Sequence, residues 1–221
     1  MRPHLEPSMS CRLLIAIVFL FIASPVLAAG SDEGFALLFD GKTLDGWQGG
    51  KDGYEIVEGA IVCKEKGGGN LYTAKEYADF HLKFEFKLTS GANNGIGIRT
   101  PLQGDPAFVG MEIQVLDDDR YKDRIKEWQH HGSVYGVVAA KIGHLKPVGE
   151  WNSEEIIVQG KHVKVILNGE TIVDADVEKA STPKTLDGRD HPGLKRDKGY
   201  IGFCGHGAHV EYRNLRLKEL K

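Results

Sequence analysis

Cysteine is scarce, with three in 221 residues, Cys11, Cys63 and Cys204. That number excludes a disulfide-dense scaffold and a zinc site built on paired cysteines. His-Glu-x-x-His and Gly-x-Ser-x-Gly are missing too, and no glycine-rich loop leads into a helix to cradle phosphate. Gly67-Gly68-Gly69 instead precedes a strand pattern. Neither sign of charge dominates: 28 Lys and Arg stand against 31 Asp and Glu, a formal net charge of −3, which argues against a nucleic-acid partner. A convincing amphipathic helix is absent. The one long apolar run, Leu13 to Leu27, follows Arg2 and Arg12 and closes at Val26-Leu27-Ala28. At about fifteen residues it is short for a membrane span and has the pattern of an export signal, with Met9 an alternative start. Residues 1–28 are therefore expected to be a removed signal peptide and residues 29–221 a single domain. The protein is expected to be exported, periplasmic or extracellular, with no membrane attachment after cleavage. Nothing in the sequence speaks to oligomeric state.

What the chain does contain is a succession of short strand patterns separated by turn residues. His81 to Leu88 is the clearest, because Leu82, Phe84, Phe86 and Leu88 alternate with His81, Lys83, Glu85 and Lys87, giving one buried face and one wet face. Further strands are expected at Ala36 to Phe39, Tyr54 to Val57, Ala60 to Lys64, Ile156 to Gln159, His162 to Leu167, Thr171 to Asp174, Gly199 to Cys204 and Val210 to Leu217. Asn168-Gly169 between two of these is a strong hairpin signal. Trp47 is expected in the core. Asp118 to His131 is charged and reads as a short helix or a long loop, and Ala180 to Lys198, with Pro183 and Pro192, reads as a loop. Long loops over a sandwich commonly rim a binding site. The pattern is that of an all-β sandwich or barrel. Cys63 and Cys204 would then share an oxidising compartment, where a disulfide between them stays open.

The stretch Asn93 to Asp117 organises the rest. It reads as two strands joined by a loop. In the first, Asn94, Ile96 and Ile98 share one face and Gly95, Gly97 and Arg99 the other. In the second, Met111, Ile113 and Val115 oppose Glu112 and Gln114. One face is apolar enough for core. The other carries an arginine, a carboxylate and an amide beside two glycines that leave an open floor, which suggests a polar groove.

Several segments resemble one known family in its own order. They are Phe39-Asp40-Gly41-Lys42, Leu44-Asp45-Gly46-Trp47, Gly91 to Arg99, Gly110 to Asp117, His131-Gly132-Ser133-Val134-Tyr135-Gly136, Gly149-Glu150-Trp151-Asn152, Leu167-Asn168-Gly169, Gly199-Tyr200-Ile201-Gly202 and Tyr212-Arg213-Asn214-Leu215. Together they resemble the 3-keto-disaccharide hydrolases. The resemblance implies a concanavalin-like jelly-roll sandwich of two antiparallel sheets, secretion, and a carbohydrate substrate whose sugar carries a ketone at carbon 3. Cys204 stands where the family often has glutamine, which puts one polar contact in doubt.

Such a ketone acidifies the hydrogen on carbon 2. Cleavage then needs a base, a partner for the enolate oxygen and an acid for the leaving oxygen. On this reading Glu112 or His206 is the base and Arg99 the enolate partner, so the catalytic candidates are Glu112, Arg99 and His206. Asn94 and Gln114 are candidate hydroxyl-binding groups, His131 and His191 are weaker candidates, and Trp128, Tyr135 and Trp151 could stack on a sugar ring. No cofactor is assured. Asp117-Asp118-Asp119 could hold a divalent cation, although such a run is more often a solvated turn. Two rivals remain open. Glu112-x-Gln114-x-x-Asp117 mirrors the carboxylate spacing of sandwich-fold endoglucanases, which would make Asp117 part of the site of a conventional glycosidase. A binding module without catalysis is the other.

Overall fold

Alternating apolar side chains set short strands into two sheets that face each other. In chain order the strands are β1 (Ala36–Leu37), β2 (Trp47–Gly49), β3 (Tyr54–Val57), β4 (Ala60–Cys63), β5 (Gly69–Thr73), β6 (Phe80–Leu88), β7 (Asn93–Thr100), β8 (Met111–Leu116), β9 (Trp151–Gln159), β10 (His162–Leu167), β11 (Glu170–Asp176), β12 (Tyr200–Gly205) and β13 (Val210–Glu219). Three one-turn helices, α1 (Pro106–Val109), α2 (Asp118–Tyr121) and α3 (Val177–Ala180), interrupt them. The computed structural model describes residues 33–221, so the export signal expected over residues 1–28 lies outside the described residues. Among the described residues no helix is long and apolar enough to cross a membrane.

The larger sheet runs β11-β10-β9-β6-β13-β4-β3, with β1 also paired to β13, and the smaller runs β2-β5-β12-β7-β8. Every strand pairing is antiparallel. The result is the expected two-sheet, jelly-roll type of sandwich. β6 shows why it holds together. Phe80, Leu82, Phe84, Phe86 and Leu88 all point into the core and are buried, each contributing about 1.5–3 kcal/mol relative to exposure. Ile96, Ile98, Met111, Ile113 and Val115 meet them from the smaller sheet. Phe203 of β12 stacks on Tyr212 of β13 at 4.1 Å between ring centroids and on Trp47 at 5.3 Å, joining the two layers.

Local signals held where neighbouring residues alone decide the backbone. Asn168 and Gly169 both adopt positive φ, 51° and 89°, between β10 and β11, the left-handed pair a two-residue hairpin requires. Trp47 is buried and donates its indole N–H to the Leu38 carbonyl at 3.0 Å. β9, however, begins at Trp151 rather than at Ile156. The polar pair Asn152 and Glu154 occupies inward positions there and breaks the apolar alternation that marks a strand in sequence. Segment 118–131 divides into α2 and a 3-10 turn at Glu127–Gln129, and another such turn occupies Pro192–Lys195. Cys63 and Cys204 are both buried free thiols, so the disulfide left open by the sequence is not formed.

Candidate active site

β7 and β8 bring Gly95 opposite Gln114 and Gly97 opposite Glu112. β8 is continued sideways by the chain at 132–135. The Gln114 N–H donates to the Ser133 carbonyl at 3.0 Å, the Gly132 N–H to the Gln114 carbonyl at 2.7 Å, and the Tyr135 N–H to the Glu112 carbonyl at 2.9 Å. Strand parity puts Tyr135 beside Glu112 on the outer face of the smaller sheet.

The glycine floor is not open, as the sequence suggested, but roofed. The Glu112 side chain lies flat over Gly95, where any Cβ would collide with its carboxyl group. A Cβ on Gly97 would stand 3.1 Å from Cys204 Sγ and 3.5 Å from Pro106 Cβ. The glycines therefore let side chains lie along the sheet rather than leave it bare.

His206 follows β12 between Gly205 and Gly207. Its Nε2 is 3.8 Å from Glu112 Oε1, and its side chain is 53% exposed against 7% for that of Glu112. Burial pushes the Glu112 carboxyl above its usual range, opposed by His206 and assisted by nearby Asp105. The Glu112 carboxylate in turn raises the pKa of His206, against the pull of burial and with Asp105 adding to the effect. Burial, then Glu112, pushes the Cys204 thiol well up, so it remains a thiol at neutral pH. A shielded carboxylate behind a half-exposed imidazole can exchange protons with a bound molecule reached past His206. Asp105, which sequence reasoning did not single out, caps α1 by accepting the Ala107 N–H at 3.1 Å. The Asp-Pro pair at a helix start was the available signal.

Gln114 shares the outer face with Glu112 but is buried, its Oε1 taking the Val115 N–H at 3.2 Å. Tyr135 accepts a hydrogen bond from Gln129 Nε2 at 3.2 Å and meets Trp128 edge to face, 5.0 Å between centroids. Trp128, Gln129 and Tyr135 thus form a partly exposed wall beside Glu112.

The remaining expected residues are elsewhere. Arg99 does not join the groove. At φ 50° it breaks the strand alternation, and its buried guanidinium reaches the carbonyls of Ala78, Gly160 and Arg196 and the Asp79 carboxylate. It ties three loops together. Asn94 points into the core with Ile96 and Ile98 and is fully buried there, so it binds no substrate hydroxyl. His131 is also internal. Its Nδ1 accepts the Leu116 N–H at 3.4 Å, its Nε2 lies 2.9 Å from Glu154 Oε2, and its ring stacks on Phe86. Trp151 stands on the outer face of the opposite sheet, 3.8 Å from the Arg213 guanidinium.

The aspartate run is used locally. Asp117 Oδ2 accepts the Gly91 N–H at 2.8 Å, and Asp118 Oδ1 accepts the His131 N–H at 2.9 Å. Asp117, Asp118 and Asp119 line a cavity of about 700 Å³ with His130, Lys146 and Val148. That cavity does not include Glu112 or His206. Among the described residues no three His, Cys, Asp or Glu side chains are grouped as metal ligands.

Residues 34–218 match the family described as the 3-keto-alpha-glucoside-1,2-lyase-like domain. The chain belongs to this family. A 3-keto-disaccharide hydrolase of Bacteroides thetaiotaomicron is 30% identical to this member over 85% of its chain and 79% of that relative. A protein of Parabacteroides distasonis, described provisionally as a glycosyl hydrolase, has a structure that is 27% identical, covers 86% of this chain and 95% of that one, and superposes with a TM-score of 0.74. A carbohydrate-binding module of Bacillus subtilis is similar in fold alone, with 12% identity, a TM-score of 0.52, and coverage of 79% of this family member and 96% of the module.

Proposed function

We propose that the protein is a glycosidic-bond hydrolase that cleaves 3-keto-glycosides, including 3-keto-disaccharides, by elimination followed by hydration. Membership of the lyase-like family supports the reaction class, and the named hydrolase relative supports the substrate class. The observation that carries the assignment of residues is the Glu112 and His206 pair, 3.8 Å apart over the glycine floor. Glu112 carboxylate takes the proton from carbon 2, and the C–H electron pair moves to form the enolate of the carbon 3 ketone. With Arg99 engaged elsewhere, the positive partner available to the enolate and leaving oxygens is protonated His206. Collapse of the enolate breaks the bond from carbon 1 to the leaving oxygen, which takes a proton from His206. Water then adds its oxygen to carbon 1 and a proton to carbon 2, and exchange with solvent takes the proton from Glu112 and returns one to His206. Tyr135 and Gln114 stand beside Glu112 as candidate hydroxyl-binding groups, and Trp128 as a stacking surface. Export to the periplasm or beyond belongs to the same proposal and rests on the pattern of residues 1–28.

The test compares an ordinary disaccharide with its 3-keto derivative in deuterated water. Turnover confined to the keto sugar, with deuterium at carbon 2 of the product, is expected. Cleavage of the ordinary sugar alone, or product lacking deuterium at carbon 2, would overturn the mechanism. The endoglucanase-like alternative needs Asp117 to share a groove with Glu112, and the bond from Gly91 to Asp117 gives it no support.

A further inference from the structure

A second carboxylate and histidine pair is buried in the loop before β12. His191 Nε2 lies 3.1 Å from Asp187 Oδ2, and the two side chains are 1% and 2% exposed. Asp187 Oδ1 also accepts the Thr185 hydroxyl at 2.9 Å and the Arg189 N–H at 3.0 Å. Burial would raise the Asp187 carboxyl, but these bonds and His191 hold it below its usual range. Because a carbonyl can only accept, His191 Nδ1 carries a proton and donates it to Ala107 O at 3.0 Å.

What this pair touches links it to Glu112 from two sides. On one side the Asp187 N–H donates to the Gly136 carbonyl at 3.1 Å. Gly136, at φ 74°, packs so closely that a Cβ there would stand 2.6 Å from Asp187 Oδ2 and 2.8 Å from His191 Nε2. The next residue back is Tyr135, bonded to the Glu112 carbonyl. On the other side, His191 grips Ala107 in α1 and packs its ring 4.8 Å from Phe108. α1 carries Asp105, which bears on both Glu112 and His206, and Pro106, which covers Gly97. A few residues on, Gly193 packs against the Gly110 backbone at the entry to β8, with no room for a Cβ.

We propose that His191 and Asp187 are positioning residues: their buried pair joins α1 to the Tyr135–Gly136 turn and thereby fixes Asp105 and Tyr135 on either side of Glu112. The effect on catalysis rests on the function proposed above. The effect on Glu112 and His206 does not.

The test uses His191→Ala and Asp187→Asn, with Val177→Ala, a buried site in α3, as a control for lost stability. Thermal transitions show that each variant folds, and the His206 ring titration is followed by NMR. Freed from its clamp, Asp105 relaxes from the pair, so the His206 midpoint falls in either variant and stays at the wild-type value in the control. On a 3-keto-glucoside, kcat falls about tenfold or more with KM nearly unchanged, as misplacement of reacting groups requires. A folded His191→Ala protein with wild-type titration and kcat overturns the proposal. If His191→Ala does not fold, Asp187→Asn, which preserves volume, decides by the same two readings. If the wild-type protein cleaves no 3-keto-glucoside, the proposed function fails, and the His206 midpoint alone decides for or against the clamp.

Discussion

Glu112 with His206 and Glu154 with His131 are the same two residue types placed in two regions of the sandwich. In the first pair the side chains are 7% and 53% exposed and 3.8 Å apart, and in the second 0% and 1% exposed and 2.9 Å apart. The inner pair is sealed between the sheets. The Leu116 N–H donates to His131 Nδ1 and the ring stacks on Phe86, so the ring is fixed in orientation, and its Nε2 faces Glu154 out of hydrogen-bond alignment and away from solvent. In the outer pair the carboxylate is shielded while the imidazole reaches solvent between two glycines. A half-exposed pair can titrate and exchange protons with a bound molecule, whereas a sealed one holds two layers in register.

The sharpest way to break this contrast is Glu112→Gln. Turnover should fall by about 10³-fold or more, while the melting temperature at neutral pH should hold or rise. The sign follows from burial: a carboxyl with a raised folded pKa favours its neutral form, so its ionisation costs stability above the ordinary carboxylate range, and glutamine removes that cost. Retained turnover would remove Glu112 from the site. His131→Leu should do the opposite. It leaves Glu154 buried without its partner, costs about 3–5 kcal/mol in denaturant unfolding, and leaves kcat of the folded fraction unchanged; Glu154→Leu in the same chain should recover most of the loss. The pH profile refines the outer pair. Activity requires ionised Glu112 and protonated His206, so it rises as pH passes the elevated Glu112 pKa and falls as pH passes the elevated His206 pKa. Limbs at the values of free glutamate and histidine would dissolve the pairing.

Arg99→Met should cost about 1–3 kcal/mol by orphaning buried carbonyls and Asp79, again with kcat preserved. A selective loss of kcat would return Arg99 to the catalytic candidates. The smallest effect belongs to Trp151→Ala, on the far face of the larger sheet. A change of less than about twofold in kcat/KM for a 3-keto-glucoside is expected, and a large rise in KM would put substrate on the wrong sheet.

Much of the candidate site was legible because strand parity is strict. Glu112 and Gln114 had to share a face opposite Met111, Ile113 and Val115, and they do. Parity also assigned Asn94 to the core side, against a role as a hydroxyl ligand. It failed at Arg99 because a positive φ there redirects the side chain. Sequence had no means of announcing that bulge, since its justification is an acceptor set gathered from Ala78, Asp79, Gly160 and Arg196. His131 was misplaced for a related reason: the family-like motif marked its presence but not the inward turn that delivers it to Glu154.

By itself the sequence determined the succession of short strands, the hairpin at Asn168-Gly169 and the face on which Glu112 lies. These follow from a two-residue period and from backbone preferences acting between neighbours. Only the tertiary structure decided which carboxylate and histidine would pair, and which of those pairs would meet water. Burial and electrostatic environment come from side chains far apart in the chain: Arg196 reaching Arg99, Glu154 reaching His131, and His191 reaching Ala107.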